Sequence, residues 1–477
     1  MNERFDAIVI GAGQAGPALA ARLDREGLKT AVVERKLLGG TCVNTGCIPT
    51  KTMVASARAA HVARRGAEYG FSVSEVRVDM RAVKARKDAV VKQSTDWLAG
   101  WIGGMKNVTL LRGHARFTAP HRVSVDGRAL EAERIFINVG ARALVPDIPG
   151  TAEVPFLTNT SMMEVDALPE HLVIIGGSYI GLEFAQMYRR FGSQVTVVER
   201  AAKLLPREDD DIAQGIRAIL EREGVAIRTG AECMELRRQG ARVVVGLSCL
   251  GGAPVAEGSH VLLAVGRLPN THDLGLDAAG IATDARGYIR VDDECRTNVA
   301  GVWALGDANG RGAFTHTSYN DYEIVAANLF DKDPRRIADR IPCYALFIDP
   351  PLGRVGMNQM EARASGRRLL AGKMPMTRVG RALQAGETQG FMKVLVDADT
   401  QELLGASLLG LNADEIVHSL LDVMYAKQPY TTIQRAVHIH PTVTELIPTL
   451  LGNLSPLSGA LSDPGARTGS APAPAGR

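Results

Sequence analysis

Two segments of this chain, 165 positions apart, follow one plan. The first, DAIVIGAGQAGPALAARLDREGLKTAVVER, opens with an apolar run ending in Gly11-x-Gly13-x-x-Gly16. A small-residue helical pattern follows, and a second apolar run closes on Glu34, 23 positions after Gly11. The second, HLVIIGGSYIGLEFAQMYRRFGSQVTVVER (residues 171–200), repeats the order with Gly176, Gly181 and, again 23 positions on, Glu199. In a strand–turn–helix–strand unit of this kind the glycines permit a tight turn, close approach of backbone to a pyrophosphate, and helix-on-strand packing. The helix N-terminus stabilises the phosphates, and the acid suits two ribose hydroxyls. The expected fold is α/β with two Rossmann-like dinucleotide-binding domains. The second copy departs at one place: Ser178 stands where the middle glycine belongs.

At 477 residues the chain exceeds one ordinary core and calls for roughly two to four domains. Its net charge of +3 offers no footprint for nucleic acid or an anionic membrane. The apolar runs fall far short of the ~20 residues that span a bilayer. The first strand begins too early to leave room for a signal peptide, so the expected location is the cytoplasm. Six cysteines are too few for a disulfide-stapled secreted scaffold. Cys233, Cys249, Cys295 and Cys343 are scattered and read as small buried hydrophobes.

Between the two units, residues 52–104 carry a helical pattern, and GHARFTAPHRVSV and ERIFINVGARALVPDIPG read as strands and turns. Gly113, His114 and Ala115 are candidates for the adenine end of a nucleotide, or plain loop residues. HVLLAVGRLPNT, with Gly266, ends the second unit. In TNVAGVWALGDANG a strand enters a Gly306-Asp307 turn, where an acid and exposed N–H groups suit a sugar hydroxyl and a phosphate. Glu199 argues for NADH, because its carboxylate repels a 2′-phosphate. Arg200, Lys203 and Arg207 argue for NADPH, because they pair with one. The balance leans to NADH. From about residue 341 alternating strand patterns give way to helices, an α+β arrangement without a phosphate motif. Residues 455–477, rich in Pro, Gly, Ala and Ser, read as a disordered tail.

Cys42 and Cys47 lie in GGTCVNTGCIPTK, residues 39–51. On a regular helix their Cα atoms would stand about 7.5 Å apart along the axis, whereas a disulfide wants roughly 4.4 to 6.8 Å. The segment must therefore bend around Asn44, Thr45 and Gly46. Pro49 suits the first turn of a following helix, which puts Cys47 near a helix N-terminus that favours a thiolate. Lys51 adds positive charge one turn on. In a cytosolic chain a persistent disulfide belongs to catalysis more often than to structure. No further ligands accompany the pair at zinc spacing, so no metal site is expected. His438-x-His440-Pro441-Thr442-x-x-Glu445 pairs a histidine with a carboxylate, equipment for moving a proton to and from a thiol.

With these motifs in this order, from about residue 5 to 452, the chain resembles the FAD-dependent pyridine nucleotide–disulfide oxidoreductases. The resemblance implies an FAD domain (1–150), an inserted NAD(P) domain (151–271), a central segment completing the FAD site (272–340) and a C-terminal domain (341–454) that makes a homodimer. It implies FAD contacts from Gly11, Gly13, Gly16, Glu34, Gly40, Thr41, Lys51, Ala115, Gly306 and Asp307, and NADH or NADPH contacts from Gly176, Tyr179, Gly181, Glu199, Arg200 and Gly266. Cys47 would face the flavin and Cys42 the substrate. Lys51 would pair with Glu183, and His440, oriented by Glu445, would reach the partner's disulfide. No cysteine follows Cys343, which argues against a standard mercuric reductase and the extended thioredoxin reductase type. The expected acceptor is a small disulfide or dithiol. The competitors are a thiol-reactive metal ion, Hg(II) or Cu(II), and, from another class, a flavin-bound redox sensor that does not turn over.

Overall fold

The computed structural model describes residues 3–249 and 253–457. They fall into two compact units, residues 1–200 with 225–340, and residues 201–224 with 341 onward.

The first unit opens with β1 (Glu3–Ile10), α1 (Ala15–Arg25), β2 (Thr30–Glu34), α2 (Gly40–Asn44), α3 (Cys47–Arg64) and α4 (Met80–Gly103). The helical pattern of residues 52–104 thus resolves into two helices, the second started by Asp79, whose carboxylate accepts the Arg81 and Ala82 N–H groups. Then come β3 (Val108–Arg112), β4 (Ala115–Ala119), β5 (Arg122–Val125), β6 (Arg128–Ile137) and β7 (Ala141–Ala143). Strands β3, β2, β1 and β6 lie parallel in that order, with the β4–β5 hairpin extending the β6 edge. The second half of β1, Ala7–Ile10, is an unbroken apolar run because both its faces are covered. Ile8 and Ile10 enter one core with Phe117 and Ile135, while Ala7 and Val9 enter another with Leu19 and Phe136.

The second motif builds β8 (His171–Ile175), α5 (Tyr179–Phe191) and β9 (Gln194–Glu199). After α6 (Asp210–Arg222), the chain adds β10 (Ala226–Thr229), β11 (Ala231–Gln239), β12 (Arg242–Cys249), β13 (Val255–Gly258), β14 (His260–Leu263) and β15 (Arg267–Pro269). Strands β10, β9, β8 and β14 form a second parallel sheet. Strand β16 (Val302–Ala304) then returns to pair with β6 of the first sheet, and α7 (Thr315–Ala326) follows. The two parallel sheets bear out the expected pair of Rossmann-like units.

The second unit is an antiparallel sheet of β17 (Cys343–Leu346), β18 (Leu352–Gly356), β19 (Leu369–Pro375), β20 (Phe391–Asp397), β21 (Leu403–Leu409) and β22 (Ser455–Pro456), in the order β17-β18-β21-β20-β19-β22. Because β22 pairs with β19, the sheet continues past residue 454, where the sequence suggests a tail. Residues 458–477 of that tail lie outside the described residues. Residues 201–224, read from sequence as part of the nicotinamide-binding stretch, belong to this unit. The reason is electrostatic. Lys393 and Arg354 are buried in the sheet and need anions. Lys393 Nζ lies 2.7 Å from both Asp209 and Asp211, and Arg354 faces Glu208 and Asp209 at 3.9 and 3.7 Å. Tyr344 donates to Glu208 at 2.5 Å.

Of the scattered cysteines, Cys295 is buried as expected, whereas Cys233 and Cys343 are only half-buried. The Cys249 side chain lies outside the described residues.

Replacing Lys393 by Met removes the buried cation from between Asp209 and Asp211 and leaves them only Arg354 and Lys373, a loss of about 3 kcal/mol. The thermal unfolding midpoint of Lys393→Met should fall well below that of wild type, while Arg368→Met, at an exposed pair with Asp399, should change little.

Candidate active site

The glycines of the two motifs meet the same contacts. Gly11 has φ +102°, and a Cβ there would fall 2.3 Å from the Asn138 carbonyl oxygen. At Gly16 it would fall 2.2 Å from the Gly11 oxygen. The second motif repeats this, with Gly176 at φ +115° against the Ala264 oxygen (2.4 Å) and Gly181 against the Gly176 oxygen (2.0 Å). The middle position is different. A Cβ on Gly13 would meet nothing closer than 3.4 Å, and Ser178 sits at φ −112°, open to any residue. Hence the serine leaves the turn intact. Each acid holds the turn of its own motif. Glu34 accepts the Ala12 and Lys36 N–H groups at 2.9 and 2.7 Å, and Glu199 accepts the Gly177 N–H at 2.7 Å.

Around the first cradle, Gly40 packs on Gly13, where a Cβ would fall 3.0 Å from the Gly13 Cα. Thr41 is exposed beside it. Ala115 is buried at the start of β4. His114 stands with Arg35, whose guanidinium donates to Asp273 at 2.6 Å. The Gly306 N–H donates to the buried Asp321 carboxylate at 2.8 Å, which also accepts from Asn309 and pairs with Arg340. Burial pushes the Asp307 carboxyl up from its ordinary value, against the nearby Arg267 guanidinium at 3.6 Å. Asp321 carries no signal in the sequence, where it is one acid among polar residues of a helix.

The cysteine segment bends as its spacing requires. Helix α2 stops at Asn44, whose amide donates to the Leu38 and Gly40 carbonyls. Thr45 and Gly46 leave helical geometry (φ −142° and −133°), and α3 restarts at Cys47. The buried Asn159 donates to the Thr45 carbonyl at 3.1 Å, pinning the bend from another segment. Both cysteines are free thiols. The Cys42 thiol donates to Cys47, and this lowers the Cys47 pKa to about 6 against the opposing effect of burial. The Thr315 hydroxyl, 3.2 Å from Cys47 Sγ, and the Lys51 charge add to the lowering. The same hydrogen bond, with burial, drives the Cys42 pKa far up. Lys51 Nζ is 2.7 Å from Glu183.

Residues 5–321 match the family model described as pyridine nucleotide-disulphide oxidoreductase, and residues 343–451 match its dimerisation domain. The chain belongs to the pyridine nucleotide-disulphide oxidoreductases. It is 37% identical to a probable pyridine nucleotide-disulfide oxidoreductase, RclA, of Escherichia coli, over 93% of this chain and 97% of that one. It is 33% identical to a dihydrolipoyl dehydrogenase of Cupriavidus necator (94% and 97%) and 31% identical to a mercuric reductase of Staphylococcus aureus (87% and 76%). A solved structure of HOCl-induced flavoprotein disulfide reductase RclA superposes with a TM-score of 0.86 at 36% identity, covering 94% of this chain and 99% of that one. The chain is accordingly an NAD(P)H-dependent flavoprotein disulfide oxidoreductase whose cofactors are FAD and NAD(P)H. Its residues fit both groups, since any side chain at Gly11, Gly16, Gly176 or Gly181 would strike backbone in the two cradles.

The second unit holds the histidine motif. His440 Nδ1 lies 2.9 and 3.1 Å from the Glu445 carboxylate oxygens, and the imidazole is exposed. His438 contacts the Ala436 carbonyl instead. Tyr179, the first residue of α5, meets Phe314 edge-on at 6.2 Å. Gly266 ends the link from β14 into β15, where its carbonyl accepts the Leu144 N–H. Arg200 is exposed, 3.7 Å from Glu232, and Lys203 is paired with Asp210 at 2.6 Å. Arg207 is exposed. Thr315 and Asn159 were not legible as site residues. They lie 268 and 114 positions from the groups they touch.

Iodoacetamide should label Cys47 of the reduced protein with a pH midpoint near 6, because the thiolate is the nucleophile. Cys42 should need far more alkaline solution. Peptide mapping across a pH series measures both, and equal midpoints would contradict the hydrogen bond from Cys42 to Cys47.

Proposed function

We propose that Cys42 and Cys47 are the redox pair of this oxidoreductase and that it reduces a small-molecule disulfide, or oxidises the corresponding dithiol. The observation that carries this reading is the meeting of two thiols at the break between α2 and α3, with the Thr315 hydroxyl 3.2 Å from the Cys47 sulfur. FAD, bound in the first cradle and reduced by NAD(P)H from the second, supplies the two electrons that cleave the Cys42–Cys47 disulfide. Cys47 retains the negative charge, with Lys51 and Glu183 alongside. Cys42, once deprotonated, attacks one sulfur of the substrate and expels the other, forming a mixed disulfide. Cys47 then attacks the Cys42 sulfur, the disulfide re-forms and the second substrate thiol leaves. His440, oriented by Glu445, carries the protons. The net change is one disulfide, two electrons and two protons to two thiols.

His440 lies in the part that matches a dimerisation domain, so we assign the active form to a homodimer in which it serves the partner's sulfur pair. The proposed division is 1–150 and 272–340 for FAD, 151–271 for nicotinamide and 341–454 for dimerisation, in a cytoplasmic protein. Among the described residues no helix is long and apolar enough to cross a membrane. NADH is the proposed donor, since Glu199 caps its own turn while Lys203 is already neutralised by Asp210. A second acceptor class, a thiol-reactive metal ion, is supported by the mercuric reductase relative and by a solved structure titled as a Cu(II) complex of RclA at 36% identity.

Anaerobic NADH should give the FAD-loaded protein a long-wavelength absorbance band that Cys47→Ser abolishes, whereas Cys42→Ser, which has no disulfide to open, should show the band before NADH is added. An unchanged spectrum with either nicotinamide would sink the proposal. Turnover with lipoamide, glutathione disulfide, Hg(II) and Cu(II) then ranks the acceptors, and a preference for either metal ion over both disulfides would favour the second class. For the nicotinamide, kcat/KM should favour NADH over NADPH by about tenfold or more, as ~1.4 kcal/mol of discrimination implies. Glu199→Ala should narrow that ratio, and an unchanged ratio would remove Glu199 from the specificity argument.

A further inference from the structure

We infer that Thr315 is the group that keeps charge on Cys47 while Cys42 is occupied by substrate. The inference rests on the assignment of Cys42 and Cys47 as the redox pair. Two side chains hydrogen-bond to the Cys47 sulfur, the Cys42 thiol and the Thr315 hydroxyl at 3.2 Å. The first of these donors is lost in the course of the reaction. When Cys42 Sγ is bonded to a substrate sulfur it has no hydrogen to give, at the stage when Cys47 must persist as a thiolate and then attack. Thr315 has no such interruption, since its hydroxyl proton takes no part in sulfur exchange.

The fold holds Thr315 firmly. It is the first residue of α7, and its turn is tied by Thr317, whose hydroxyl donates to the Phe314 carbonyl at 2.7 Å and accepts the Phe314 N–H at 3.1 Å. The Phe314 ring stacks on His316 at 5.4 Å. One turn further along α7, buried Asp321 is fixed by the Gly306 N–H, Asn309 and Arg340. The other charged groups facing Cys47 are Lys51 of α3 and, through it, Glu183 of α5. Lys51 lies 2.7 Å from the Glu183 carboxylate, so it acts on the sulfur through its field. A hydrogen bond to an ionised acceptor is roughly twice as strong as a neutral one, and Thr315 supplies it in both the dithiol and the mixed-disulfide states. The exchange balances without another reactant. Cys47 thiolate forms the S–S bond to Cys42, the Cys42–substrate S–S bond breaks, and the released substrate thiolate takes a proton.

The test uses the FAD-loaded, reduced protein in a Cys42→Ala background, which imitates loss of the Cys42 donor. The pH midpoint of Cys47 alkylation is read by peptide mapping. Adding Thr315→Val should raise that midpoint by one pH unit or more, and Thr315→Ser should restore it. In the otherwise intact enzyme, Thr315→Val should weaken the NADH-induced long-wavelength band and slow turnover with a disulfide, while the KM for NADH stays unchanged. Thr315→Ala replaces the valine variant if that one does not fold. An alkylation midpoint that stays put when the hydroxyl is removed overturns the inference. If the intact wild type gives no NADH-induced band, it is the redox-pair assignment that fails, an outcome distinct from a normal band with an unmoved midpoint.

Discussion

The broken helix that brings two sulfurs together is the constraint on which the rest of this site depends. Five positions of regular helix would keep Cys42 and Cys47 too far apart to share anything. The chain breaks helix at Thr45 and Gly46 and restarts it at Cys47, so the Cys42 thiol reaches its neighbour. The bend is not self-sufficient. Asn44 ties it to the Leu38 and Gly40 carbonyls, Asn159 to the rest of the first unit, and Gly46 is needed because a Cβ there would fall 2.8 Å from the Thr41 oxygen. Once the sulfurs meet, their environments separate them. Cys47 is made the more acidic by the Cys42 hydrogen bond, with the Thr315 hydroxyl and the Lys51 charge adding to it, while Cys42 is pushed the other way.

The two nucleotide cradles are built from a similar economy of contacts. In each, two glycines are forced by backbone oxygens that leave no space for a side chain, and an acid 23 positions after the first glycine closes the turn on itself. That acid therefore has a structural partner in its own turn. The middle glycine carries no such constraint within the protein, which is why Ser178 is compatible with a motif identical in its other contacts.

Much of this was legible in the sequence because it is local. The strand–turn–helix–strand units, the required bend between the cysteines and the His440–Glu445 pairing all depend on residues within a few turns of one another. The Lys51–Glu183 pair, 132 positions apart, was legible only through the family resemblance. What escaped notice depends on distant segments that carry no pattern of their own. Asp321 looks like any helix acid until the Gly306 turn is placed against it. Asn159 and Thr315 belong to polar stretches that read as surface. The ion pairs of residues 201–224 carry no sequence signal either: buried Lys393 and Arg354 select Glu208, Asp209 and Asp211 from across the chain, and no periodicity announces a buried cation.

The central claim, that Cys42 and Cys47 form the one redox couple of the chain and that their reduction runs through the bound cofactors, is met most directly by mapping thiols with mass spectrometry. Air-oxidised, FAD-loaded protein is alkylated before and after anaerobic addition of NADH. The account predicts that neither Cys42 nor Cys47 is labelled before NADH, that both become labelled after it, and that Cys233, Cys295 and Cys343 do not change. Labelling of Cys42 and Cys47 that is the same with and without NADH would contradict it.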